Sequence, residues 1–143
     1  MVIKYKKLDN FISAPIRAHS VDAGADVFAT EDIVLNPNER YAMPLGFAIA
    51  VPEGYMATIW TKSSKFKTGL YSKEPPVDAG YTGEVHALLH NVSNDIIEIH
   101  RGDKVAQLIV VPVILAEFEE VESLEKTERG DGAFGSTGLT LEK

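Results

Sequence analysis

Short stretches of β-branched and aromatic residues recur along this chain, separated roughly every ten residues by turn-forming clusters. Residues 33–35, 46–51, 55–60, 84–90 and 96–100 each read as a strand. The most apolar run is Val105 to Leu115. Pro112 lies inside it, which forbids a helix and confines a strand to an edge or a bulge at that point. Ala23 to Val27 and Arg101 to Gln107 each look like a turn feeding a strand. The one fair helix candidate is Lys62 to Thr68, and it is short. Many short strands at even spacing predict an all-β domain, a barrel or a sandwich.

The pattern changes near the C-terminus. Glu117, Glu119, Glu120, Glu122, Glu125 and Glu128 crowd one stretch, with Phe118, Val121 and Leu124 as its few apolar positions. It is expected to begin as a strand anchored by those three. Beyond it, Arg129 to Gly138 is rich in glycine and has too little apolar content to pack alone. The expected division is therefore a β domain over 1–127 and a flexible arm over 128–143.

Composition narrows the classes of function. The chain has 143 residues, enough for one domain, with 45% hydrophobic and 24% charged residues. Its net charge of −7 argues against a general polyanion binder, which needs a basic face. No direct nucleic-acid binding is expected. Cysteine is absent, which excludes disulfides, a thiol nucleophile and zinc–thiolate sites. There is no leader-like segment and no apolar run of about 20 residues. A soluble, cytoplasmic protein with no membrane partner is the expectation.

Several polar clusters could carry chemistry. Gly130-x-x-x-x-Gly135-Ser136-Thr137 approaches a nucleotide-binding P-loop but lacks its lysine and any room for the following helix. Its glycines, the two hydroxyls and Arg129 still suit phosphate, and Phe134 could stack on a base. A tail without function fits the same composition. Asp78, among apolar and glycine residues beside a strand, could be a general base or could simply bond its own turn. Asp26 could orient a metal-bound water, and Gln107 could reach a phosphate. Lys62, Ser63 and Ser64 place a cation and hydroxyls at a helix start, which suits an anion but also describes a solvated turn. His86 and His90 are about 13 Å apart on a strand and cannot share one ion.

Taken in order, these pieces resemble the five motifs of the homotrimeric deoxyuridine triphosphatase (dUTPase) family. They are Ala23-Gly-Ala-Asp26, Lys62-Ser63-Ser64, Val77-Asp78-Ala-Gly-Tyr81-Thr-Gly83, Arg101-Gly-Asp-Lys-Val-Ala-Gln107, and Arg129 through Phe134, Gly135, Ser136 and Thr137 to Gly138. The resemblance implies a jelly-roll-like all-β barrel, a homotrimer with shared active sites, and hydrolysis of dUTP to dUMP and pyrophosphate with Mg²⁺. It further implies that Asp78 deprotonates the attacking water and that Tyr81 packs under the deoxyribose. Ser63, Ser64 and Gln107 would hold phosphates. Arg129, Gly135, Ser136 and Thr137 would close over them, with Phe134 on the uracil and Asp26 touching Mg²⁺ through water. Lys62 stands where the family usually has arginine, and Thr61 replaces the proline before it. Glu74-Pro75-Pro76 replaces a glycine–aliphatic pair, and Ala25 an aromatic residue.

Two other readings compete. A dCTP deaminase of the same fold would need a catalytic glutamate at the position of Leu88, which cannot move a proton. A silent nucleotide-binding regulatory module would not need Asp78, Tyr81 and the arm together.

Overall fold

The computed structural model describes residues 1–12, 14–73 and 75–133. Its elements are β1 (Lys4–Lys7), β2 (Ala25–Phe28), β3 (Ile33–Leu35), β4 (Arg40–Ala50), β5 (Tyr55–Thr61), α1 (Ser63–Phe66), β6 (Leu70–Ser72), β7 (Glu84–Asn91), β8 (Ile97–Ile99) and β9 (Lys104–Pro112). All strand pairs are antiparallel. The strands form three ladders, in the orders β1-β4-β7-β6, β2-β9-β5 and β3-β8. The all-β expectation holds.

The core follows from alternation. On β7, Val85, Ala87, Leu89 and Asn91 are buried, while His86 and Leu88 between them are exposed. Leu45, Phe47 and Ile49 of β4 meet that face, with Val27, Ile59 and Val105 of the second ladder. Buried Asn91 is satisfied by its side-chain N–H bonds to Leu35 O and Asp95 O, at 2.9 and 2.8 Å.

Pro112 is the last residue of β9, opposite Tyr55. The register with β2 ends at Leu108, so the missing N–H falls beyond that ladder. Two strands were not legible in the pattern. All four side chains of β1 are exposed, so it exists through pairing with the edge of β4 and shows no alternation. β6 is only three residues long.

The acidic stretch differs from its expectation. Among the described residues no strand follows Pro112. Phe118 is 99% and Leu124 85% exposed, so the expected apolar anchors grip nothing on this chain. A strand needs a partner edge, and the segment finds none here.

Arg101, at the turn into β9, is a fastener. Its guanidinium donates to both carboxylate oxygens of Asp9, at 2.9 and 2.7 Å, and lies 4.7 Å from the Phe11 ring centroid. It ties the N-terminal segment down.

Candidate active site

The first part of the site is built on the β2-β9-β5 ladder. Asp26 on β2 is opposite Gln107 on the central strand β9. Lys62 follows the end of β5, just before α1. Asp26 is only 5% exposed, and its two oxygens are held by Lys62 Nζ at 2.6 Å and Lys104 Nζ at 2.8 Å. Burial alone would push its carboxyl up. The hydrogen bonds from Lys104 and Lys62, with their charges, outweigh burial and hold it below its ordinary value. Gln107 donates from Nε2 to Thr61 O at 3.4 Å. A Cβ on Gly24 would collide with the Gln107 side chain, so glycine leaves room for the amide to stand there. Gly24, Asp26, Lys62 and Gln107 line a cavity of about 220 Å³.

Lys104 is the residue that the sequence reading missed. It lies within the fourth motif, but a register shift between Val27 and Phe28 brings its ammonium to Asp26. A bulge of this kind leaves no mark in the alternation of residues.

The second part is the segment from Pro75 to Gly83 and the start of β7. Val77 is bridged to Ala57 in both directions, at 2.7 and 3.1 Å, which fixes the segment on β5. The turn after it closes through Tyr81 N–H to Asp78 O at 3.1 Å. Tyr81 Oη donates to Glu84 O at 3.0 Å, which holds the ring. A Cβ on Gly83 would strike that ring. Asp78, Tyr81, Glu84 and His86 line a cavity of about 250 Å³, with Pro75, Pro76, Val77, Val85 and Leu88 as its apolar walls.

The structure thus brings Asp26, Lys62 and Gln107 together, and Asp78 and Tyr81 together. The two cavities have no lining residue in common. Each is smaller than the roughly 300–1,000 Å³ of an ordinary ligand pocket. Ser63 and Ser64 are exposed on α1, beside Lys62 but outside the lining of its cavity. That helix has only four residues, too short for a helix dipole to favour an anion there. Arg129 is exposed and donates from Nε to Gly132 O at 3.0 Å; it lines neither cavity. Phe134, Gly135, Ser136 and Thr137 lie outside the described residues.

No group of three His, Cys, Asp or Glu side chains suited to a metal occurs among the described residues. Among the described residues of this cavity, Asp26 has the chemistry to fit Mg²⁺. The ion would take its inner ligands from substrate phosphates and water, and Asp26, with lone pairs beyond those given to its lysines, would accept from a metal-bound water.

Replacing Asp26 by Asn leaves two ammonium groups without their carboxylate. The expected cost at neutral pH is roughly 1–3 kcal/mol, below that of a fully buried pair because Lys104 is half in solvent. The folded-state value is below 3.8, so this stabilisation is complete above 3.8 and is lost as pH falls through the lowered value. Urea unfolding with a chelator present should therefore show the two proteins converging in acid. A gap that persists there would exclude the carboxylate as its source.

The dUTPase family model matches residues 10–138. Among curated relatives, the chain is 45% identical over 140 residues to a deoxyuridine 5'-triphosphate nucleotidohydrolase of Nocardia farcinica, covering 95% of this chain and 85% of that one. It is 39% identical over 142 residues to the protein of that name from Zymomonas mobilis, covering 96% and 97%. Among solved structures it is similar to the dUTPase of Staphylococcus bacteriophage 80alpha with dUpNHpp, with a TM-score of 0.89 and 29% identity over 96% of this chain and 99% of that one. A mutant dUTPase from phage phi11 of S. aureus, described with a structural Mg(II) ion, gives 0.81 and 27% over 88% and 100%.

Proposed function

The chain belongs to the dUTPase family and is a dUTP-hydrolysing enzyme, and from that premise we propose that Asp78 activates the attacking water at a site completed by neighbouring copies in a homotrimer. The observation that carries this reading is the division of the site into two undersized cavities with different chemistry. One holds an acid and an aromatic ring, suited to water activation and a nucleoside. The other holds one ammonium, Lys62, and the Gln107 amide beside the carboxylates of Asp22 and Asp26, a set that would take phosphates together with Mg²⁺. A nucleotide needs both, and each chain presents them apart. The exposed apolar side chains Trp60, Tyr71 and Leu88, with Phe118 and Leu124 beyond β9, supply surface for association.

In the reaction, a lone pair of the water oxygen forms a bond to the α-phosphorus. The bond from that phosphorus to the bridging oxygen breaks, and pyrophosphate leaves with the electron pair. The water proton passes to the Asp78 carboxylate. Among the described residues no cation pairs with Asp78, so its lone pairs are available for that proton. Tyr81, fixed through Glu84 O, packs against the deoxyribose and leaves a ribose 2′-OH crowded and unpaired. Lys62, Gln107, Ser63 and Ser64 orient the phosphates, and Arg129 with the arm from Phe134 to Thr137 closes over them. Asp26 would hold Mg²⁺ through water, and the ion when bound would supply charge neutralisation. Such chemistry depends on positioning and charge more than on covalent help. It would remove dUTP from the cytoplasmic nucleotide pool and supply dUMP.

Incubation with dUTP and Mg²⁺ should release pyrophosphate and dUMP. Ammonia release from dCTP would point instead to the deaminase of this fold, and binding without turnover to a silent module. Leu88 at the deaminase's glutamate position is 42% exposed on the cavity wall and has no proton to give.

A further inference from the structure

We propose that Lys62 is an exchangeable counter-ion of Asp26: a triphosphate draws its ammonium off the carboxylate, Lys104 holds the carboxylate in place through the exchange, and a divalent cation is thereby admitted together with the nucleotide. This deepens the phosphate half of the reading above and rests on it.

The Asp26 backbone is fixed from both sides. It is bonded to Ile16 in both directions, at 2.7 and 3.1 Å, and β2 pairs with β9. The side chain is only 7% exposed. Its two oxygens are divided between two ammonium groups of different standing. Oδ1 accepts from Lys62 at 2.6 Å, and Oδ2 is paired with Lys104 at 2.8 Å. Lys62 lines the cavity beside Asp26, and Lys104 does not. A ligand entering the cavity therefore meets Lys62, while Lys104 grips from outside the lining.

The backbone of Lys62 is also fixed, since its carbonyl accepts from the N–H groups of Lys65 and Phe66, each at 2.9 Å. Its four-carbon stem is free of those bonds. The ammonium is a point charge with three rotatable donors, and it can turn from one oxygen to another without moving the chain. A triphosphate offers several charged oxygens where Asp26 offers one, so the balance tips toward the phosphates.

The same ammonium opposes a metal. A hydrated dication approaching Oδ1 meets a positive charge 2.6 Å from that oxygen, and the two repel. Once Lys62 turns to a phosphate, Oδ1 can accept from a metal-bound water. Asp26 then keeps one counter-ion in Lys104, so the exchange never strands a buried charge. Metal alone finds the oxygen occupied, and metal arriving with a triphosphate does not.

The test uses the full-length wild-type protein, Lys62→Met and Lys104→Met. Each variant leaves Asp26 one ammonium. The first measurement is the affinity for Mn²⁺ alone, read from the spin-resonance signal of the free ion. Lys62→Met should bind about tenfold more tightly than the wild type, and Lys104→Met should show no gain. Both variants remove one charge from the same carboxylate, so an effect of net charge would raise both alike. Adding Asp26→Asn to Lys62→Met should abolish the gain, which separates this site from carboxylates elsewhere. The second measurement is the affinity for dUpNHpp with Mg²⁺ and with a chelator. Coupling is reciprocal, so the factor by which metal tightens the analogue should be about tenfold smaller in Lys62→Met. Equal gains in the two lysine variants, or no gain in Lys62→Met, overturn the exchange and leave the hydrolase reading intact. A wild-type affinity for dUpNHpp that ignores Mg²⁺ overturns the reading of this cavity as the place of phosphates and metal, and the exchange with it.

Discussion

Replacing Asp78 by Asn should leave a folded protein that binds dUTP and turns it over about 10²–10⁴-fold more slowly. The amide has nearly the same shape, so the turn closed by Tyr81 N–H and Asp78 O survives, since that bond is made by the backbone. What disappears is the capacity to take a proton. Without it the attacking species must shed its proton to bulk water, and the gain from a positioned base is lost. Calorimetric titration with dUTP beside a steady-state rate separates the two properties. Lost binding in a protein that still folds would make Asp78 a ligand-binding residue and would move the base elsewhere.

Deleting residues 128–143 should give an assembled protein with little turnover. Arg129 carries much of the expected loss, since an arginine brought to a transferring phosphate is worth up to about 10³–10⁵ in rate. In the structure Arg129 is exposed and occupied with Gly132 O, away from both cavities. The bond is itself solvent-exposed, to a carbonyl three residues away, and is easily exchanged for a phosphate. The segment leading there, residues 113–127, makes no strand, and its Ile114, Leu115, Phe118, Val121 and Leu124 side chains are exposed. Both facts fit an arm that reaches another copy. A mixture of the truncated protein with full-length Asp78→Asn tests this directly. If base and arm come from different chains, mixed trimers contain sites with both, and activity returns after subunit exchange. Confirmed exchange without recovered activity would assign the arm to its own subunit's site.

The strands that alternate were legible in the sequence. β7 is the plainest example, with every second residue buried from Val85 to Asn91. β1 was not, because Lys4 to Lys7 are all exposed and the strand owes its existence to β4. The candidate site was legible as chemistry but not as geometry. Asp26, Lys62 and Gln107 are far apart in sequence, and only the registers of β2 and β5 on β9 make them neighbours. Lys104 escaped notice because a register shift aims it. Phe118, Val121 and Leu124 misled for the opposite reason. They supply apolar anchors for a strand, but such anchors do not say which molecule provides the partner edge.

The glycine at position 83 has a consequence for redesign. The atoms a Cβ there would meet first are those of the Tyr81 ring and its hydroxyl. The two positions are therefore coupled: a substitution at 83 that is harmful beside tyrosine becomes tolerable once the ring is removed. Mutational scans made one residue at a time would record Gly83 as fixed and Tyr81 as a residue of the sugar pocket, and would miss the epistasis between them. A route toward bulkier sugars runs through the pair, with Tyr81 changed first.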